Sequence, residues 1–343
     1  MIRHDIGTRY SQETTQHTPS YVDSRGYRME DAALLVDDGD GIVMAVADGH
    51  GSTKTAAGRY VGARECADIA ISTVSKFSSK EYASTNPEVI FSASHRAMHE
   101  LDISFAPHVL FERATDTTRA RVKYSVNGKI HSCLHGTTLT VVHVGRNGCV
   151  VVSHVGDSLA MHIGLDGTTK WLTHAHDVHN VSERERVIKR GAKVSKHGSS
   201  MTYSTGGSDV SIRVTRALGH HGDRIISPTP EVKRYSLAPG FIVLASDGVW
   251  DHASPEDVTS AVLGTKTISE ACDMIFKTVT DKGVVRDNAT LLIAPMLPPV
   301  SDDRQTDHVP RRTLSDTQPR PNPRNRVKTP RTASVFCCPF FGR

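Results

Sequence analysis

Five short apolar runs punctuate the chain: Ile42–Ala47, Leu139–Val144, Cys149–Val155, Phe241–Ala245 and Leu291–Ile293. Val and Ile are frequent in them, which predicts buried strands. The second and third runs flank "GRNG" at 145–148, a turn sequence that predicts a hairpin and therefore antiparallel pairing. Between the strand groups the apolar period changes to three and four. From Ala56 to Phe77 the positions Ala56, Tyr60, Ala63, Ala67, Ala70, Val74 and Phe77 predict one helix face. Ile268, Ala271, Cys272, Ile275, Phe276 and Val279 predict another, opened by a capping box of Thr267 and Glu270. "SPED" at 254–257 offers a further helix start with Pro255 in the first turn. A third, more polar helix spans Glu183 to Arg190, started by Ser182. Strands, helices and strands without strict βαβ alternation predict antiparallel sheets with helices packed outside them, an α+β class.

The ends behave differently. Residues 1–20 are polar and aperiodic and read as a flexible N-terminus; residues 21–297 form the patterned domain; residues 298–343 form a basic, disordered tail. Six of the sixteen prolines lie between Pro310 and Pro339. Residues 304–343 hold nine Lys/Arg and two Asp/Glu, net +7 against +4 for the whole chain, so residues 1–303 are net −3. The basic balance is a property of the tail. The mildly acidic body gives no reason to expect a nucleic-acid partner. Six cysteines without CxxC or paired spacing read as reduced thiols; Cys66, Cys133, Cys149 and Cys272 read as packing residues. No run approaches the ~20 apolar residues that span a bilayer.

Candidate chemistry lies at the strand ends. "MEDAALLV" ends in Glu30 and Asp31 on its N-terminal side, "VMAVADGHG" delivers Asp48, Gly49 and His50, "VVSHVGDS" delivers Asp157, "IVLASDGVWD" delivers Asp247, and "VVRDNATLLI" opens with Asp287 and Asn288. One Asp-Gly is a turn. The carboxylates of five strand ends, brought to one sheet rim, repel each other and call for cations between them. An all-oxygen donor set suits Mg²⁺ or Mn²⁺ better than zinc. Two such ions deprotonate a water and neutralise phosphoryl oxygens. A histidine beside them supplies a proton to a poor leaving group. The other eighteen histidines, including His174, His176 and His179, read as ordinary side chains, because no cysteine framework accompanies them.

Read in order, "GYRMEDA", "VADGHGS", "HGTTLTVV", "VGDS", "LTHAHDV…ERERVIKRGAKV", "VTRALG", "PTPEV", "LASDGVWD" and "RDNATLL" resemble the successive motifs of the metal-dependent type 2C protein serine/threonine phosphatases, over about Tyr21 to Pro295. The resemblance implies a four-layer α-β-β-α sandwich, two antiparallel β-sheets flanked by α-helices, with two core metal ions and a weaker third. It implies Asp48 bridging the core ions, Asp247 and Asp287 on one ion, and the Gly49 carbonyl and Glu30 on the other. Asp31 would act through water or from behind Glu30, Asp157 would share a third ion with Asp247, and Asn288 would support the site. His50 would be the general acid. The implied activity is hydrolysis of phosphoserine and phosphothreonine in protein substrates by direct attack of a hydroxide bridging two Mg²⁺ or Mn²⁺ ions.

The chain departs from the family pattern at several points. The phosphate-binding arginine normally stands four residues before Glu30; here Arg28 stands two before and Arg25 five before. Strand parity puts Arg28 on the face of Glu30, so Arg28 is the assigned phosphate ligand and Arg25 the alternative. Leu159 replaces an arginine, Ala175 an aspartate and His220 an aspartate. These departures keep a second reading open, a catalytically weak or inactive type 2C-like binding or scaffold protein. In the tail, Cys337 and Cys338 among aromatics after a basic stretch could carry acyl chains, giving a membrane-surface contact. The expectation is a cytoplasmic monomer, with nuclear or peripheral membrane placement as alternatives.

Overall fold

The structure is a computed structural model. It describes residues 29–51, 53–54, 60–105, 109–112, 121–126, 129–132, 135–205, 208–221, 223–281, 287–296 and 336–337. In chain order it contains β1 (Asp31–Asp37), β2 (Gly41–His50), β3 (Thr53–Lys54), β4 (Tyr60–Val61), α1 (Ala63–Val74), α2 (Ser79–Ser84) and α3 (Pro87–Phe105). A meander follows: β5 (Val109–Glu112), β6 (Arg121–Val126) and β7 (Lys129–Ser132). Next come β8 (Gly136–Thr137), β9 (Leu139–Gly145), β10 (Cys149–Val155), β11 (Leu159–Gly164), β12 (Thr169–Trp171) and α4 (Val181–Lys189). Then follow β13 (Lys193–Val194), β14 (Met201–Thr205), β15 (Ser208–Ile212), β16 (Leu218–Gly219), β17 (Glu231–Ser236) and β18 (Gly240–Ala245). The chain continues through α5 (Asp247–Trp250), α6 (Pro255–Gly264), α7 (Ile268–Asp281), β19 (Thr290–Met296) and β20 (Phe336–Cys337).

Two antiparallel sheets form the frame. One runs β16-β8-β2-β9-β10-β17 with β1 on the other edge of β2; the other runs β12-β11-β18-β19-β20. The strands are covered on both faces, which is why they read as continuous apolar runs rather than alternating ones. Along β2, Met44 and Val46 point inward and pack with Val142, Val150, Ile242, Leu244 and Leu292 between the sheets. Val43, Ala45 and Ala47 point outward onto Cys66, Ala67, Ala70, Val74 and Phe91 of α1 and α3. On the far side, Val243, Leu291 and Ile293 face Val258, Ala261, Ala271, Ile275 and Val279 of α6 and α7. These are the four layers expected, helix, sheet, sheet, helix. Cys66 and Cys272 are buried in the outer layers, as packing residues.

Local signals decided most element ends. Gly148 takes φ +76° in the hairpin between β9 and β10, as "GRNG" predicts. Thr267 Oγ1 accepts from the Glu270 N–H at 3.1 Å while the Glu270 carboxylate accepts from the Thr267 N–H at 3.2 Å. Ser254 and Asp257 exchange the equivalent pair. Two helix starts differ from expectation. The helix predicted from Ala56 starts at Ala63, because Gly62 takes φ +117°, outside the helical region, and the preceding residues 60–61 pair as a strand with 53–54. The helix predicted to start after Ser182 starts two residues earlier, after Asn180, whose N–H is held by Asp177 Oδ1 at 3.1 Å.

A smaller cluster of Val178, Val187, Met201, Tyr203, Val210, Val214, Ala217, Ile225 and Ile226 gathers α4 and β13–β15 beside the sandwich. Glu183, its side chain 3% exposed, anchors it. Its carboxylate accepts from Arg216 at 2.6 Å, Arg186 at 2.8 Å and the Thr215 hydroxyl at 2.8 Å. In the tail, Phe336 and Cys337 pair with Leu291 and Thr290 at the edge of β19. Residues 1–28, including Arg25 and Arg28, lie outside the described residues, as do Cys133, Cys338 and the side chain of Cys337.

Candidate active site

The expected acids meet at one end of the sandwich. Asp31 opens β1 and Asp48 lies directly opposite it near the end of β2, which puts their side chains on one face a few ångströms apart. Asp247 follows β18 at the start of α5, and Asp287 precedes β19. Asp157 stands in the turn between β10 and β11. The first sheet thus supplies Asp31 and Asp48, the second supplies Asp247 and Asp287, and the link that crosses from one sheet to the other supplies Asp157.

Asp31 ties the two sheets together. It is fully buried. Its Oδ2 accepts from Ser246 Oγ at 2.8 Å and Thr290 Oγ1 at 2.7 Å, hydroxyls 215 and 259 residues away. The Asp48 stretch is held as firmly. Its N–H donates to Thr138 Oγ1 at 3.0 Å, and its carbonyl accepts from the Thr138 N–H at 2.8 Å. Thr138 thereby replaces a backbone rung between the β2–β8 and β2–β9 pairings. The Asn288 side chain accepts from the Glu30 N–H at 2.7 Å, and the Glu30 carbonyl accepts from the Gly49 N–H at 3.3 Å. Glu30, Gly49 and Asn288 therefore form one stitched corner. At Gly49 a Cβ would collide with the Ala63 carbonyl at the start of α1 and with the Glu30 carbonyl, so only glycine lets helix and strand approach there.

Charge crowding dominates the electrostatics. Burial raises Asp48 well above the usual carboxylate range, and Asp31, Asp247, Asp287 and Asp157 raise it further. Burial pushes Asp31 up to about 7 against the pull of the Thr290 and Ser246 hydroxyls. Burial and Asp247 push Asp157 up to about 7. Burial and Asp287 push Asp247 up to about 6. Asp31 Oδ1 and Asp247 Oδ1 are buried and have no hydrogen-bond partner. Orphaned carboxylate oxygens inside a crowd of like charges are costly, and hard divalent cations are the partners that relieve them. The residues present fit such ions.

His50 sits at the end of β2 with its Nε2 2.7 Å from Nε2 of His220, the rings stacked at 5.0 Å. Burial lowers the His50 pKa to about 4, offset in part by a hydrogen bond to the Asp48 backbone and lowered again by His135. The imidazole is therefore neutral at pH 7. His220 takes φ +51°, the one left-handed non-glycine among the described residues. Its N–H donates to the His135 carbonyl at 3.0 Å, which fixes this conformation.

Sequence reasoning missed one cation in this cluster. Arg213, just past β15, places Nη1 3.5 Å from Asp247 Oδ2 and Nη2 3.3 Å from Asp251 Oδ2. No spacing rule announces it, since its partners lie 34 and 38 positions on. The Ser246 and Thr290 hydroxyls were missed for the same reason. Of the substituted positions, the Leu159 carbonyl accepts from Trp250 Nε1 at 3.1 Å, and the Ala175 carbonyl accepts from Asn180 Nδ2 at 3.3 Å.

A second group of ligand types lies apart from this cluster. His154, His176 and Glu231 bring their ligand atoms within 4.8 Å of one another. The two rings are nearly parallel, at 6° and 4.2 Å, so an ion in the plane of one lies out of the plane of the other. His176 Nδ1 accepts from the Gly156 N–H at 3.3 Å, leaving Nε2–H to donate to Glu231 at 3.5 Å. As arranged, this is a buried hydrogen-bond chain.

The family model described as "Protein phosphatase 2C" matches residues 37–288. "Probable protein phosphatase 2C 12" of Arabidopsis thaliana is 32% identical over 176 residues, 48% of this chain and 39% of that protein. "Probable protein phosphatase 2C 61" of the same plant is 33% identical over 158 residues, 42% of this chain and 47% of that protein. The matched stretch thus spans less than half the length of these relatives. Among solved structures, a serine-threonine phosphatase 2C from Toxoplasma gondii shares the fold with a TM-score of 0.55 at 16% identity, covering 83% of this chain and 97% of that one. A C. elegans sex determining protein shares it with a TM-score of 0.56 at 18% identity, covering 80% of this chain and 63% of that one. With that family model matching residues 37–288, well over half of its length, the chain belongs to the protein phosphatase 2C family.

Proposed function

We propose that this chain is a protein serine/threonine phosphatase whose acid cluster holds two Mg²⁺ or Mn²⁺ ions. The observation that carries the reading is the meeting of five carboxylates, from both sheets, around two buried oxygens that lack a hydrogen-bond partner. Asp48, together with Asp247, Asp287, Glu30 and the Gly49 carbonyl, would hold the ions. When bound, such ions supply a water that ionises near neutral pH and positive charge for the phosphoryl oxygens.

The chain's own residues do the remaining work. Ser246 and Thr290 keep Asp31 turned toward the cluster. Asn288 and the Gly49 N–H hold the Glu30 backbone. His50 is our candidate to protonate the departing serine or threonine oxygen. With a pKa near 4 it must first take up a proton, and once charged it is a strong donor. Arg28 is our assigned phosphate ligand. The substrates are phosphorylated proteins, and our placement is a cytoplasmic monomer, with nuclear or peripheral membrane placement through the basic tail as the alternatives.

The test is hydrolysis of a phosphothreonine peptide with Mn²⁺ and with chelator, beside Asp247→Asn. Turnover that needs metal and vanishes in the variant is expected. Metal-independent turnover overturns the reading. A second reading, a binding protein on this fold with little or no catalysis, draws on the His50–His220 contact, which engages the ring nitrogen a leaving group would need. Phosphopeptide binding without turnover in the same assay selects it.

A further inference from the structure

The Asp247 carboxylate has two differently placed oxygens. Oδ1 is buried and has no hydrogen-bond partner; Oδ2 faces Arg213 at 3.5 Å. The Asp247 side chain is 14% exposed and that of Arg213 is 55% exposed, so the guanidinium lies on the solvent side of the cluster. It also bonds Asp251 through both terminal nitrogens, at 3.4 and 3.3 Å. Its charge reaches Asp157 as well, pulling that carboxyl down, while Asp247, Asp251 and Asp157 together hold the arginine's own pKa up. One fixed positive charge therefore serves the three outer acids, and the inner acids, Asp31, Asp48 and Asp287, are left to other partners.

We propose that Arg213 is the protein's own cation on the outer, Asp157–Asp247 side of the acid cluster, where it takes the place of a third exchangeable metal ion. The inference rests on the reading of the inner cluster as a two-ion centre. A guanidinium is always charged and presents a planar set of donors to carboxylates. An ion entering between Asp157 and Asp247 must displace it or accept its repulsion at a few ångströms, where two like charges interact strongly even near a protein surface. The consequence is a chain that holds two ions where the outer acids would otherwise take a third. The arginine also ties Asp251, the residue that closes α5, to the segment leaving β15.

Counting ions tests this without any measurement of turnover. The full chain is dialysed against millimolar Mn²⁺, and bound manganese is counted by mass spectrometry for wild type, Arg213→Ala and Arg213→Lys. Two ions are expected in wild type and in the lysine variant, and three in the alanine variant, with a gain of roughly tenfold or more in affinity at the outer site. Arg213→Gln carries the same expectation as alanine and keeps the polar stem should the alanine variant fail to fold. Two ions in every variant, or three in wild type, overturns the role of Arg213 and leaves the two-ion centre standing. No ion in wild type overturns the two-ion centre itself, and this inference with it.

Discussion

His220 Nε2 lies 2.7 Å from His50 Nε2, and the backbone pays for that contact with a left-handed residue at 220. The two rings come from the end of β2 and from the turn after β16, 170 residues apart. The family's usual aspartate at 220 would offer a carboxylate; this chain offers an imidazole instead.

If His220 orients His50 for proton delivery, His220→Asn should lower kcat about ten- to a hundredfold and leave KM nearly unchanged. Asparagine tolerates the left-handed backbone, so the fold should survive. The limb of the pH–rate profile that reports His50 should move with the substitution. An unchanged kcat and profile would give His220 a packing role only.

The raised carboxylates set a pH dependence for the metal-free chain. Asp31, Asp157 and Asp247 titrate at about 6 to 7 in the fold and near 3.9 when unfolded. The fold therefore binds their protons more tightly than the unfolded chain does. That stabilisation is complete below about pH 4 and is lost as pH rises through 6 to 7. With chelator present, the melting temperature should fall between pH 5 and pH 8. Saturating Mn²⁺ at pH 8 should restore it, because the ions take over from the protons. A melting temperature flat across this range in chelator would contradict the crowding of the acids.

Asp31→Asn should separate stability from metal binding. The amide oxygen can still accept from Ser246 and Thr290, while one charge leaves the cluster. In chelator the variant should melt about 2–4 °C higher, the shift expected for about 1 kcal/mol in a domain of this size. Its Mn²⁺ affinity, read by calorimetry, should drop. Equal affinity would show that Asp31 does not act on the ions.

Glu183 carries the smaller cluster beside the site. Glu183→Gln should cost about 3 kcal/mol, the low end for breaking a buried ion pair, since Arg186 and Arg216 keep some exposure. Its wild-type carboxyl is held down at about 2 by Arg216, Arg186 and Thr215 against its burial. This contribution is present above the unfolded value near 4.3 and fades as pH falls toward 2. Urea midpoints at pH 7 and pH 3 check both statements: the gap between wild type and variant should narrow at the lower pH.

Much of the frame was legible in the chain. The continuous apolar runs of β2, β9, β10, β18 and β19 announced strands buried on both faces, and "GRNG", Ser254–Asp257 and Thr267–Glu270 placed a turn and two helix starts. These signals are local, so they survive without knowledge of the fold. The start of α1 was misread because apolar spacing continues through residues that Gly62 breaks, and φ is not written in spacing. At the site, the acids were legible because each stands beside a strand end. Their partners were not. Ser246 and Thr290 on Asp31, Arg213 on Asp247 and His220 on His50 are side chains that become neighbours only when the two sheets close.

The sequence by itself determined which residue types stand at the strand ends and the glycine that lets α1 approach β2. Tertiary structure decided which of those acids keep an unpaired oxygen, which meets an arginine, and whether His50 is charged. The physical reason is that burial, like-charge crowding and hydrogen-bond pairing are properties of distance between groups up to 259 residues apart, and that distance is set by the packing of two sheets.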